Sequence, residues 1–227
     1  MKETGLRVIR LFVGIFLYST GIALTINANI GLAPWDVLHQ GLSKTIGITI
    51  GQASIGMGII IVIINSIMKE NVGWGTLSNM LFVGVFLDLL LLNHLIPVFE
   101  NIVARAAMMF GGMFVLGVAS FLYIGVGLGA GPRDGLMVGL TKRTGKSVRL
   151  IRSSIETCVV GMGYLLGGSV GAGTLIMALS IGYFVQLAFQ LFKFDVNNVE
   201  HRFIDQDIKA LKKLMHPKAT DVDADGR

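Results

Sequence analysis

Six long stretches of the 227-residue chain are almost purely apolar, and their lengths set the first expectation. They run over about 6–28, 50–68, 75–93, 104–127, 150–167 and 172–192, each reaching or approaching the ~20 residues a membrane-spanning helix needs. Two shorter segments, Pro34 to Ile46 and Pro132 to Thr144, open on proline and hold 13 residues each. As helix each measures about 20 Å against a hydrocarbon core of about 30 Å, so neither is expected to cross comfortably. In the second, only seven uncharged residues separate Asp134 from Lys142, which strengthens that expectation. The pattern predicts an all-α polytopic membrane protein with six transmembrane helices and two short Pro-started helices, re-entrant or lying in the interface.

The same order of segments occurs twice. A gapless shift of 98 residues brings Gly31, Pro34, Asp36, Gly41, Leu42, Lys44 and Gly47 onto Gly129, Pro132, Asp134, Gly139, Leu140, Lys142 and Gly145. The register continues downstream, where Gly73, Gly75, Thr76 and Phe86 fall on Gly171, Gly173, Thr174 and Phe184, and upstream, where Arg7, Phe12 and Gly14 fall on Arg105, Phe110 and Gly112. The chain therefore divides into a first membrane repeat, 1–98, a second, 99–193, and a tail, 194–227. The repeat also shows that the basic, apolar start is structural and not a signal peptide, because its copy from Arg105 to Ile124 lies mid-chain. Three spans per copy is an odd number, so the copies are expected to enter the membrane in opposite senses. Inverted repeats of this kind are common in secondary transporters.

Composition agrees with a membrane class. Hydrophobic residues make up 53% and charged residues 15%, with a mean hydropathy of +0.71, against roughly a quarter charged in soluble domains. With six spans and a cytoplasmic N-terminus, all of the 19 Lys and Arg except Lys44 and Arg105 fall inside, as the positive-inside rule requires. Eight spans would satisfy that rule equally well, so segment length and not charge decides the count. The net charge of +5 thus reads as a topology signal, and no aromatic-interleaved basic stripe points to nucleic acid. The single cysteine, Cys158, excludes an intramolecular disulfide and thiolate metal chemistry.

Candidate chemistry gathers at the short segments. Pro34-Trp35-Asp36 and Pro132-Arg133-Asp134 each follow a glycine turn, with Gly31 before the first and Gly129 and Gly131 before the second. Proline at the start and a carboxylate in the first turn suit a helix N-terminus. They also suit two half-helices dipping in from opposite faces toward a substrate path. Glu156 lies about one turn inside a predicted span with Arg152 four residues before it, either as an ion pair orienting the span or as a substrate counter-ion or protonation site. The candidate path residues are Pro34, Trp35, Asp36, Pro132, Arg133, Asp134, Arg152 and Glu156. Gly73, Gly75, Gly171 and Gly173 mark very short connections and read as packing positions. Asp88, which aligns with Gln186, is expected either as a polar interhelical contact or, near the outer boundary, as a solvated side chain.

Other chemistries lack their signatures. Gly139 to Ser147 has five residues where a phosphate-binding loop has four, and no strand precedes it. The four histidines, His39, His94, His201 and His216, form no ligand set, and no G-x-S-x-G elbow occurs. Neither an enzyme, a metal site nor a cofactor is expected. In the tail, Val199, Phe203, Ile208, Leu211 and Met215 with Lys209, Lys212 and Lys213 suggest an amphipathic basic helix on the cytoplasmic surface or docking against a loop, ahead of a disordered end.

The string GAGPRDGLMVGLTKRTGKSVRLIRSSIETCVVGMGYLLGGSVGAGT, with GLAPWDVLHQGLSKTIG in the first copy, resembles the YczE/YyaS/YitT group of bacterial integral membrane proteins, in its YczE-like branch. That resemblance covers about residues 5–192 and implies a multi-pass protein of the bacterial cytoplasmic membrane, sometimes grouped with exporters. It marks Pro132, Arg133, Asp134, Arg152 and Glu156 as motif positions without assigning their roles. Together these observations lead to the expectation of a secondary transporter or small exporter for an unknown small molecule or ion, with both termini cytoplasmic. A non-transporting scaffold or regulatory accessory protein is the alternative, and a homodimer is expected by analogy only.

Overall fold

The computed structural model describes residues 2–195, 199 and 202–205. Among them it is all-helical, with α1 (Lys2–Asn27), α2 (Pro34–Ile46), α3 (Ile50–Ile67), α4 (Trp74–Leu92), α5 (Ile102–Ile124), α6 (Pro132–Thr144), α7 (Val148–Leu165) and α8 (Ala172–Leu191). The two short helices occupy the segments their prolines announce. Each ends on a glycine in the left-handed region, Gly47 at φ 72° and Gly145 at φ 66°, and a hydroxyl two residues on, Thr49 or Ser147, caps the helix that follows.

Five helices are long and apolar enough to cross a membrane: α1 from Gly5, α3, α4, α5 and α8. The sixth expected span, α7, has 18 residues but carries Arg149, Arg152 and Glu156 in its first half, and those charges keep it below that standard. On α4 and α8 the exposed side is an apolar stripe at every fourth position, Leu81, Val85 and Leu89 on one and Leu175, Leu179, Tyr183, Leu187 and Leu191 on the other. Such stripes suit lipid contact, since hydrocarbon tails replace water there.

Helix directions follow from which residues touch. Along α1 and α4 the contacts rise together: Phe12 meets Phe82 at 4.9 Å, Phe16 meets Phe86 at 5.4 Å, and just past α4 the Ile96 carbonyl accepts from the Asn27 side-chain amide at 2.8 Å. These helices are parallel. So are α5 and α8, through Phe110 with Phe184 at 6.2 Å and Phe121 with Phe192 at 4.6 Å. Between α1 and α5 the order reverses: Arg10 lies over the Phe121 ring, Gly14 packs on Leu122 and Tyr123, Gly21 on Gly112 and Leu116, and Arg105 Nε donates to the Ala28 carbonyl at 2.9 Å. Helix α1 therefore runs antiparallel to α5, and α4 to α8.

The halves also exchange their short elements. The loop before α2 packs on the start of α8, where Gly173 N–H donates to the Ile30 carbonyl at 3.1 Å. The loop before α6 packs on the start of α4, where Gly75 N–H donates to the Leu128 carbonyl at 2.7 Å. Ile30 and Leu128 occupy equivalent positions, as do Gly173 and Gly75. Gly171 and Gly73 face the same carbonyls so closely that a Cβ at either would collide with them, which is why these two positions are glycine. Likewise α2 packs on α7 and α6 on α3. The last-turn lysines follow suit, Lys44 reaching the Gly167 carbonyl at 2.9 Å and Lys142 reaching Glu70 at 2.7 Å.

One seam has no counterpart. Helices α3 and α4 meet backbone to backbone at Gly51 and Gly84, where Asp88 accepts from the Thr49 hydroxyl and, at 2.8 Å, from Gly51 N–H. Asp88 is thus an interhelical acceptor, the first of its two expected roles, and not a solvated side chain. In the second half Arg149 stands where Gly51 does and Gln186 where Asp88 does, and the space beside Gly182, equivalent to Gly84, is open. After α8, Arg202 N–H donates to the Gly127 carbonyl at 2.7 Å and Ile204 N–H to the Val72 carbonyl at 3.1 Å, so this stretch docks on interhelical loops. Residues 206–227, with Ile208, Leu211, Met215 and the expected disordered end, lie outside the described residues.

The seam makes a contrast that thermal stability in detergent reads directly. Gly84→Ala places a Cβ 2.5 Å from the Gly51 carbonyl and the Ile55 side chain and should destabilise by about 1–3 kcal/mol, seen as a lower Tm. Gly182→Ala meets nothing within 4 Å and should leave Tm unchanged or slightly raised.

Candidate functional site

Both short helices begin beside a central cavity of about 180 Å³. Its walls come from the two halves in equivalent pairs: Pro34 and Pro132, Trp35 and Arg133, Ser54 and Arg152, Met57 and Ile155, Gly58 and Glu156, Val83 and Ile181. At the junction the Arg133 guanidinium lies 4.7 Å from the centre of the Trp35 ring. That stack joins the first turns of α2 and α6 through residues at the same repeat position. Tyr18 of α1 and Tyr123 of α5 complete the wall, their rings edge to face at 5.8 Å.

The repeat explains how one wall is small and the other charged. At cavity-facing positions α3 presents Ser54 and Gly58, whereas α7 presents Arg152 and Glu156. Arg152 Nε donates to Glu156 Oε1 at 2.9 Å, the i,i+4 pairing expected from the sequence, here turned toward the cavity. Asp134 also lines it, with its side chain open to the cavity space. Arg133 has no carboxylate within ion-pair distance among the described residues, and its guanidinium lies over the Trp35 face, with the Asp134 carboxylate acting on it from farther away.

Seven of the eight candidate path residues thus surround one space, and Asp36 does not. Its side chain is 4% exposed and lies behind the cavity against His39, Oδ1 to Nδ1 at 3.5 Å, and neither of those atoms makes a hydrogen bond. The equivalent carboxylates therefore differ, one facing the cavity and one packed against a histidine. His39, Tyr18 and Tyr123 are residues that spacing did not single out. His39 stands three positions after Asp36 on the same helix face, which is a legible signal, but Tyr18 and Tyr123 sit in apolar runs with nothing to distinguish them. Among the described residues no three His, Cys, Asp or Glu side chains group to hold a metal ion. Cys158 is exposed on α7.

Residues 5–190 match the family of unknown function DUF6198, and the chain belongs to that family. It is 32% identical over 191 residues to the uncharacterised membrane protein YczE of Bacillus subtilis, covering 82% of this chain and 87% of that protein. A Haemophilus influenzae protein described as uncharacterised is 36% identical over 166 residues, 73% of this chain and 75% of its own length. The uncharacterised protein YyaS of Bacillus subtilis is 27% identical over 167 residues, 72% of this chain and 83% of its own. No solved structure matches. The chain is accordingly a helical membrane protein of the YczE/YyaS type.

The stack of Arg133 on Trp35 should be measurable as a coupling. In a cycle of Arg133→Gln, Trp35→Leu and the double variant, thermal stability in detergent should reveal a coupling of about 0.5–2 kcal/mol, the range for a cation over an aromatic face away from bulk water. Additive single effects would show that the two first turns are held together by other contacts.

Proposed function

We propose that this protein is a secondary transporter or small exporter of the bacterial cytoplasmic membrane, built from two inverted three-span repeats around the central cavity. The carrying observation is that cavity, walled by equivalent residues of both halves and holding Arg133, Asp134, Arg152 and Glu156 at the meeting point of two short helices. Charged side chains in such a position are costly in a bilayer and mark pathways more often than they mark structure. In this reading α7 is the sixth span, its charges facing the cavity and not the lipid. Inversion is supported by the antiparallel α1 and α5. Parallel α1 and α4 support a single crossing, α3, between them, so α2 returns to the face it came from. N- and C-termini are then cytoplasmic, and the many basic residues of the α6–α7 connection lie on the same side.

Asp134 and Glu156 are the proposed proton or cation sites, with Arg133 and Arg152 as their counter-charges. Asp36, packed on His39, holds the start of α2 in place. The closed seam of α3 with α4, set beside the separated α7 and α8, supports a rocking cycle in which the two seams take turns to open. A scaffold would draw on the exposed basic face alone and would need none of the cavity charges.

Topology comes first. In a Cys158→Ser background, a cysteine at Asn71 should react with an impermeant thiol reagent only from the cytoplasmic side and one at Glu100 only from outside, both positions being exposed. Reversed sides would mean that the short helices cross and the repeats are parallel. Transport is then read in proteoliposomes loaded with a small-molecule extract of cells, with released compounds identified by mass spectrometry. Asp134→Asn and Glu156→Gln should each lower release at least tenfold while the protein remains folded. Unchanged release in both would remove the carboxylates from the mechanism.

A further inference from the structure

Resting on the transport reading, we infer that α6 is the moving gate of the cavity, pivoting at its Pro132 end and latched at its other end by Lys142 on Glu70, while α2 is a fixed wall built onto α7. The repeat sets α2 on α7 and α6 on α3, so the two contacts can be compared position by position. In the first, backbone lies on backbone. A Cβ at Gly163 would fall 2.5 Å from the Leu38 nitrogen, one at Gly41 would fall 2.5 Å from the Gly163 carbonyl oxygen, and one at Gly168 would collide with the Val37 carbonyl. Val37, Leu38, His39 and Gly41 are all buried. Close-packed backbones of this kind do not part in small steps.

At the equivalent positions the first half supplies Asn65 in place of Gly163, Met68 in place of Leu166 and Glu70 in place of Gly168. Side chains therefore stand between the backbones of α3 and α6. A Cβ at Gly135 would meet the Asn65 amide nitrogen, and one at Gly139 the Met68 methyl and the Glu70 side chain, all of them parts of flexible chains. Within α6 only Pro132 and Gly139 are buried. Asn65 Nδ2 donates to the Pro132 carbonyl at 2.8 Å, but Asn65 Oδ1 and, on α6 itself, Thr141 Oγ1 are buried without a hydrogen-bond partner. The closed position thus carries two polar atoms that water would satisfy once α6 swings away.

The start of α6 is held, since the loop before it is fixed to α4 through Leu128 and Gly75, and Asn65 grips the Pro132 carbonyl. Its end is held only by long side chains. Lys142 reaches Glu70 at 2.7 Å with its own side chain 64% exposed, Arg143 Nη2 donates to the Ile67 carbonyl at 3.3 Å, and Gly145 beyond them is free of neighbours within 4 Å of a Cβ. An exposed ion pair holds weakly and releases readily. Asp134 and Met137 line the cavity from α6, so an outward swing of the Lys142 end draws Met137 out of the wall and opens the space on that side. On α2 the matching lysine, Lys44 on the Gly167 carbonyl at 2.9 Å, only adds to the glycine contacts beside it.

Two measurements on the full chain read the gate. In Cys158→Ser protein carrying Ser54→Cys, a thiol on the α3 wall of the cavity reports access through its rate of reaction with a small methanethiosulfonate reagent. Adding Glu70→Gln should raise that rate at least twofold, Glu70→Lys together with Lys142→Glu should return it, and Lys44→Gln should leave it unchanged. In the unsubstituted protein, hydrogen exchange should be at least tenfold faster at the amides of 138–144 than at the equivalent amides of 40–46, and Glu70→Gln should speed only the first set. Size exclusion and helical content verify that the variants fold. A rate unmoved by Glu70→Gln, an equal rise with Lys44→Gln, a charge swap that does not restore the rate, or equal exchange in the two helices would overturn the inference. Gated access with no release from proteoliposomes would uphold α6 as the moving element and remove the transport reading. Release with access that Glu70→Gln does not alter would do the reverse.

Discussion

The structure depends on one reciprocal contact, the packing of each repeat's glycine loop on the first turn of the other repeat's last helix. Backbone inside a membrane protein must find its hydrogen-bond partners within the protein, since lipid offers none. The extended stretches before α2 and α6 are non-helical, and they meet that demand by placing the Ile30 and Leu128 carbonyls on the amide N–H groups of Gly173 and Gly75. Each loop is thereby held by the half it does not belong to. Glycine at 73 and 171 allows the approach, because a side chain there would occupy the carbonyl's place, and Gly75 and Gly173 leave the carbonyls tight but less severe clearance. With the loops fixed, Pro34 and Pro132 start their helices at the cavity, and Trp35 and Arg133 are brought into register.

From that clasp the asymmetry of the cavity acquires meaning. A perfect repeat would give two identical walls and two identical seams. Here the substitution of Ser54 and Gly58 in α3 by Arg152 and Glu156 in α7 turns one wall into a charged surface. Replacing Gly51 by Arg149 removes the close backbone approach that fastens α3 to α4. Arg149 and the cavity-lining Arg152 and Glu156 together reduce the apolar character of α7 as a span. Charge, looseness and departure from ordinary hydropathy are three aspects of the same helix.

Arg133 on Trp35 is where the halves meet electrostatically. A cation over an indole face is well accommodated away from water, yet an aromatic ring does not neutralise it as a carboxylate would. The pair formed by Arg152 and Glu156 closes the far side without adding net charge.

Much of this was legible in the chain. Span lengths gave the helical membrane class, and proline with a first-turn carboxylate placed both short helices at their observed bounds. Those features are local or periodic, so sequence carries them in full. Sequence spacing also nominated Pro34, Trp35, Pro132, Arg133, Asp134, Arg152 and Glu156, which the structure brings around one cavity. It could not separate Asp36 from Asp134, because their local contexts match and only the packing of His39 makes one buried and the other open. Nor could it find Tyr18 and Tyr123, indistinguishable from other aromatics in apolar runs, or decide between the interhelical and the solvated reading of Asp88. Those outcomes depend on which helix lies beside which, and contacts between segments a hundred residues apart are set by mutual packing and not by either segment alone.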